Sequence, residues 1–162
     1  AALAPMPTAR RGAGAAVLDG KIYVVGGYSG TANRLATVEV YDPATNAWSQ
    51  APPMSTARSV LGVAALGGKL YAAGGHDGTT YLSSVEVFDP QTNAWTALAP
   101  MSTARHFFAM AAVQGKLYAV GGFDAVHGST IATAEAFDPQ QNRWEAVASM
   151  SSAYDAGAVA AI

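Results

Sequence analysis

Residues 20–27 read Gly20-Lys21-Ile22-Tyr23-Val24-Val25-Gly26-Gly27, and the pattern returns as GKLYAAGG at 68–75 and as GKLYAVGG at 115–122. Each copy is an apolar stretch of strand length that runs into two consecutive glycines, the residue that lets another backbone approach with no Cβ in the way. The pair recurs at Gly26, Gly74 and Gly121 in steps of 48 and 47, and Trp48, Trp95 and Trp144 recur in steps of 47 and 49. An aromatic-Asp-Pro triplet keeps the same phase as Tyr41-Asp42-Pro43, Phe88-Asp89-Pro90 and Phe137-Asp138-Pro139. A fixed period of this length marks a repeat architecture. A helical repeat would need apolar residues at 3.6 spacing over roughly ten positions, and no segment offers that.

Each unit instead offers four short apolar runs separated by turn chemistry, which predicts four strands. In the first copy, 14–18 is strand a, and Asp19-Gly20 is a two-residue hairpin signal that accepts positive φ. Strand b covers 22–25, a polar loop follows over 28–36, and 37–41 is strand c with β-branched residues at alternate positions. Residues 42–46, Asp-Pro-Ala-Thr-Asn, form a turn. Strand d covers 48–51 and stops at Pro52-Pro53, because proline cannot donate to a ladder. Strands a and b are apolar on both faces, as expected of a sheet sandwiched between other sheets.

Composition narrows the function classes. Of 162 residues, 51% are apolar and 12% charged, about half the usual ~25% charged share, so the chain is mostly interior or a piece of something larger. A net charge of −2 gives no general attraction to nucleic acid or to an anionic membrane. The absence of cysteine removes disulfides, thiolate metal sites and thiol redox chemistry. The longest apolar runs, such as 107–113, fall far short of the about 20 residues that cross a bilayer. No signal peptide is visible and the chain opens at Ala1 without an initiator Met. A soluble protein is expected, its compartment open.

The order of hydrophobic strand, Gly-Gly, Tyr/Phe-Asp-Pro, spaced Trp and Pro-Met-x-x-x-Arg resembles the kelch repeat, in which each unit is one four-stranded blade of a β-propeller. The resemblance covers essentially all of the chain; the third copy departs only where Asp124-Ala125-Val126-His127-Gly128 stretches its b–c loop. It implies an all-β propeller built of four-stranded antiparallel kelch blades, three blades plus one extra strand. The single segment 1–162 would hold blades at about 9–51, 57–99 and 104–148 and a partial fourth repeat at 149–162. Ala4-Pro5-Met6 matches the linkers Pro53-Met54 and Pro100-Met101, while Ser149-Met150 and 157–162 match a linker and strand a of a fourth unit. Propellers typically close with four to eight blades. Either further blades come from a longer chain, or two copies associate head to tail into a six-bladed ring. In the second case 157–162 of one copy would compete with 14–18 of the other for one inner-strand position, which favours the first.

Function has to be read from the site rather than the fold. Antiparallel connectivity sends loops b–c and d–a to one end and a–b and c–d to the other. The second end repeats Lys21, Lys69, Lys116 and Asp42, Asp89, Asp138, a structural pattern. The first varies: it collects Arg10, Arg11, Arg34, Arg58 and Arg105, His76, His106 and His127, and Tyr28, Tyr81, Phe123 and Tyr154. Variable loops on a repeated scaffold are where recognition usually sits. Arg58 and Arg105 share a repeat position, as do Glu39, Glu86 and Glu135, so a structural hydrogen-bonding role competes with ligand contact. Arg10 and Arg34, read as non-repeating, are the better ligand candidates. The histidines stand at unrelated repeat positions with no carboxylate at metal-ligand spacing, so neither a metal nor a cofactor is expected. No G-x-S-x-G, H-E-x-x-H or P-loop occurs, and Asp77, Asp124 and Asp155 lie in different loops, so no catalytic residue is assigned.

The family resemblance adds two classes of function. Some kelch propellers are enzymes, among them a copper oxidase that needs a cysteine-modified tyrosine, which this stretch cannot build, and a sugar mutarotase. Kelch domains of certain ubiquitin-ligase adaptors bind acidic peptides through arginine, serine and aromatic side chains, and similar residues stand here at Asn33-Arg34-Leu35, Arg58-Ser59, Tyr28 and Tyr81. The expectation is a non-catalytic scaffold binding a protein or peptide, acidic by charge complementarity. Its ligand contacts would be Tyr28, Arg34, Arg58, Ser59, His76, Tyr81, Arg105, His106, Phe123 and Tyr154. The rivals are a carbohydrate-binding or sugar-isomerising propeller working through Asp77 or Asp124, and a fragment with no ligand of its own.

Overall fold

The structure is a computed structural model that describes residues 2–30, 33–124 and 126–155. Those residues are all-β and include no helix long and apolar enough to cross a membrane. The first unit runs β1 (Gly14–Leu18), β2 (Lys21–Val25), the two-residue strands β3 (Tyr28–Ser29) and β4 (Asn33–Arg34), β5 (Val38–Asp42) and β6 (Ala47–Ala51). The second runs β7 (Gly62–Leu66), β8 (Lys69–Ala73), β9 (Val85–Asp89) and β10 (Ala94–Leu98). The third runs β11 (Arg105–His106), β12 (Ala109–Val113), β13 (Lys116–Val120), β14 (Phe123–Asp124), β15 (Ser129–Thr130), β16 (Ala134–Asp138) and β17 (Arg143–Val147).

Each unit builds one antiparallel four-stranded blade, β1-β2-β5-β6, β7-β8-β9-β10 and β12-β13-β16-β17. The first hairpin of every blade turns through two left-handed residues: Asp19 and Gly20 at φ 50° and 74°, Gly67 and Gly68 at 59° and 72°, Gln114 and Gly115 at 49° and 78°. Such turns match the right-handed twist of the flanking strands. The last hairpin is held by its aspartate, whose carboxylate accepts from the amide two residues on, at 2.9 Å in each of Ala44, Gln91 and Gln140.

The blades stack face to face with inner strands β1, β7 and β12 side by side. Val25, Val38, Leu61, Val63, Leu70 and Phe88 fill the seam between blades 1 and 2. Tyr71, Val85, Phe108, Met110, Leu117 and Phe137 fill that between blades 2 and 3. Each such side chain contributes about 1.5–3 kcal/mol by leaving water. Strands a and b are covered on both faces only in the middle blade: Val17 and Ile22 of blade 1 and Val113 of blade 3 are 63, 37 and 43% exposed.

The Gly-Gly pairs receive the next unit's linker. Gly27 N donates to Arg58 O at 2.8 Å, Gly75 N to Arg105 O at 2.9 Å and Gly122 N to Tyr154 O at 2.7 Å. A Cβ on Gly26, at φ +64°, would lie 2.4 Å from Arg58 O, so only glycine admits the contact. Each tryptophan clamps the linker that leads into its own blade, with indole Nε1 donating to Ala4 O, Pro52 O and Ala99 O at 2.9, 2.8 and 3.1 Å. Residues 149–155 repeat this seat on blade 3, where Met150 N donates to Ala132 O at 2.9 Å. The strand expected over 157–162 lies outside the described residues.

Candidate functional site

Above each blade, at the end where the b–c and d–a loops emerge, three short segments pair into the same small lattice. The residue after the linker arginine pairs with the residue after Gly-Gly, which pairs with a residue further along the b–c loop. In blade 1 these are Arg11, Tyr28 and Arg34; in blade 2, Ser59, His76 and Tyr81; in blade 3, His106, Phe123 and Thr130. The backbone positions are equivalent while the side chains change from copy to copy. That is why the rim has no repeat signature in the sequence.

Seven of these side chains, from Arg11 to His106, surround one cavity of about 340 Å³ together with Val60 and Phe107. The guanidiniums of Arg11 and Arg34 lie over the Tyr28 ring, 4.5 and 4.8 Å from its centroid. Gly78 N donates to His76 Nδ1 at 3.1 Å, and Arg34 Nη2 approaches the same nitrogen at 3.4 Å, which leaves the ring proton of His76 on Nε2. Tyr81 stands between two imidazoles, 4.6 Å from His76 and 4.7 Å from His106, and Phe123 backs His106 at 5.3 Å. Burial draws the His106 imidazole below its ordinary pKa, and nearby His76 adds to this. Among the described residues no carboxylate lines the cavity, although the Asp155 charge reaches His106. Asp77 is occupied by the amides of Thr79 and Thr80 at 2.8 and 2.6 Å, and Asp124 by Val126 N at 2.8 Å and His127 Nδ1 at 2.5 Å.

Arg58 and Arg105, expected among the ligand contacts, point away from this rim into the protein. Arg58 reaches Glu86 at 2.7 Å and the carbonyls of Gly74 and Ser84 at 3.0 Å. Arg105 reaches Glu135 at 2.8 Å and the carbonyls of Gly121 and Thr133 at 2.9 and 3.0 Å. Both side chains are 0% exposed, and a buried charge must be paired. Arg10, expected as a non-repeating ligand contact, is the first unit's copy of the same device: it pairs with Glu39 at 3.0 Å and is 1% exposed. The signal was there, since Arg10 precedes Arg58 by 48 residues and Arg58 precedes Arg105 by 47. Burial pushes the Glu86 carboxyl up, but bonds from Ser55 and Arg58 outweigh it and hold the group below the usual glutamate range. Tyr154 occupies the arginine position of the fourth repeat; its carbonyl takes the Gly122 amide and its side chain is 62% exposed, outside the cavity. Phe123 touches the cavity only through His106.

Two lining residues carry no local signal. Val60 and Phe107 adopt left-handed backbone, φ 52° and 53°, at the position Gly12 fills in blade 1 with φ 62°. For an L side chain this costs about 1–2 kcal/mol each. Among the described residues no group of three or more His, Cys, Asp or Glu could hold a metal ion.

Repeated four-stranded blades, inner strands abreast and variable loops gathered at one rim define a β-propeller segment. The family model described as KLHDC2/KLHL20/DRC7 Kelch-repeats domain matches residues 4–160, and the chain belongs to the kelch-repeat family. It is similar to Kelch-like protein 21 of Danio rerio, 41% identical over 49 residues, 30% of this chain and 8% of that protein. Human Kelch-like protein 21 is 55% identical over 38 residues, 24% of this chain and 6% of its own length. Human Kelch-like protein 6 is 54% identical over 35 residues, 22% of this chain and 6% of that protein. These matches span only a small part of the relatives' lengths. The solved chain titled "Structure of YjhT" superposes with a TM-score of 0.80 at 21% identity, over 96% of this chain and 56% of that one. At that identity the likeness is one of fold.

Proposed function

We propose that this chain is a non-catalytic protein-binding scaffold that takes an acidic peptide segment of its partner on the b–c and d–a loop rim. Kelch membership supports a binding scaffold in general. The observation that carries the acidic assignment is the pair Arg11 and Arg34, whose guanidiniums lie over the Tyr28 ring in the wall of a cavity with no carboxylate among its described lining residues. Guanidinium groups bind carboxylates through paired, charge-assisted hydrogen bonds, and the neighbouring Tyr81 and His76 offer stacking surface and donors. The uncovered faces of blades 1 and 3 are where further blades would pack, and a longer chain is their source in this reading.

Fluorescence anisotropy with a labelled glutamate-rich peptide and its glutamine counterpart tests the proposal. The glutamate peptide alone should bind, and its affinity should fall about tenfold as salt rises from roughly 0.05 to 0.5 M. Replacing both arginines, Arg11→Ala with Arg34→Ala, should abolish binding without changing the melting temperature. Equal binding of the two peptides, or indifference to salt, would sink the acidic assignment. Saturable, salt-insensitive binding of a neutral sugar would move the site to the carbohydrate class.

A further inference from the structure

Outside glycine, seven described residues have positive φ, and five of them, Asp19, Asn46, Asn93, Gln114 and Asn142, sit in tight turns. Four of those are the Asp and Asn that tolerate this region best. Val60 and Phe107 do not fit that pattern: one is β-branched, the other aromatic, and both line the rim cavity. The fold requires the conformation here, because it lets each unit's amide reach back to its neighbour. Val60 N donates to Gly12 O at 2.6 Å, and Phe107 N to Val60 O at 3.1 Å. It does not require the side chains, because Gly12 makes the same turn with none. Glycine would be the unstrained choice at 60 and 107. Nor does interior packing account for Phe107, which is 46% exposed; Val60 is partly buried. Strain kept at a cavity, with the side chain left partly in water, is the pattern of a residue retained for what it contacts. The cavity thus has a cationic wall, Arg11 and Arg34 on Tyr28, and an apolar wall, Val60 and Phe107.

We infer that Val60 and Phe107 are specificity-determining residues that seat an apolar side chain of the ligand beside the acidic group held by Arg11 and Arg34. The inference rests on the acidic-peptide reading and deepens it: the partner segment alternates acidic with large apolar residues. Blade 1 takes no part in the apolar wall, because a Cβ on Gly12 would come within 3.2 Å of both Tyr28 Cε1 and Val60 Cγ1. The Tyr28 ring uses that space.

Two pools of acetylated heptapeptides test this, both with Glu at alternate positions, one with Leu, Ile or Phe between them and the other with Ser, Asn or Gly. The intact chain should bind the apolar pool roughly tenfold more tightly, the discrimination a hydrophobic contact supplies. Phe107→Gly, and Phe107→Asn as a second left-handed-tolerant variant, should erase most of that preference while leaving affinity for the polar pool unchanged. Val60→Gly should do so in part. All three should melt at or above the parent temperature, since the exchange relieves strain. Both pools binding with equal affinity to the intact chain overturns the inference and leaves the acidic reading standing; so does an unaltered preference in the variants. Failure of both pools to bind the intact chain overturns both readings. Destabilisation by roughly 5 °C or more in the glycine and asparagine variants would make the two residues packing elements and likewise overturn it.

Discussion

The two ends of the propeller use repetition in opposite ways. At the tight-turn end the same pair appears in every blade, Lys21–Asp42, Lys69–Asp89 and Lys116–Asp138 at 3.2, 2.8 and 3.5 Å, with the lysines 40–47% exposed. At the rim the backbone lattice is equally regular, yet its three positions read Arg-Tyr-Arg, Ser-His-Tyr and His-Phe-Thr. Constant chemistry on a constant backbone marks scaffold, and changing chemistry on a constant backbone marks a surface free to specialise. Between them lie the buried Arg–Glu pairs, as regular as the turns but desolvated, and burial sets how much each feature should matter.

The largest effect is expected from the buried layer. Glu86→Gln leaves the Arg58 charge without its counterion and should cost about 3–5 kcal/mol in urea unfolding. A cost below about 1 kcal/mol would mean that desolvation had already cancelled the pair. Acid should find the same layer next. Because the Glu86 carboxyl titrates below its ordinary value in the folded protein, its pairing contributes in full above the unfolded value of about 4.3. That contribution is lost as pH falls through the depressed folded value. Melting temperature between pH 7 and 2 should therefore drop below about pH 4, with a shallower slope in Glu86→Gln; parallel slopes would remove Glu86 as the cause. The smallest effect belongs to the turn end. Lys69→Ala should move the melting temperature by no more than about 2 °C, because exposed pairs are screened. A larger shift would show that the turns do more than decorate the scaffold.

The residues that keep phase, the glycine pairs, Trp48, Trp95 and Trp144 and the Asp-Pro turns, make the blade legible in the sequence, since each acts through its own backbone or its linker. Within the candidate site, Tyr28, Arg34, Ser59, His76, Tyr81 and His106 were read from their loops, and all six line one cavity. Loop position groups Arg58 and Arg105 with them, while their shared repeat position points to the competing structural role, the one the buried pairs with Glu86 and Glu135 fill. Adjacent residues there face opposite ways: Arg10 is sealed against Glu39 while Arg11 lies on Tyr28 at the rim. Counting in repeat steps would have exposed Arg10, but nothing local distinguishes Val60 or Phe107, whose propensities argue against the backbone they adopt.

Period, the four long strands of each blade and the turn types are thus settled by the chain alone, because they follow from local φ preferences and apolar spacing recurring every 47 to 49 residues, whereas the two-residue strands of the rim, such as β3 and β4 inside the expected 28–36 loop, are not. Which arginines pair inside and which remain at the rim, and which side chains are held in left-handed backbone, came only with the stacked blades. Burial and strain at those positions are imposed by residues far away in sequence: Glu86, 28 residues on in the same unit, draws Arg58 inward, and the Gly12 carbonyl of the preceding unit takes the Val60 amide.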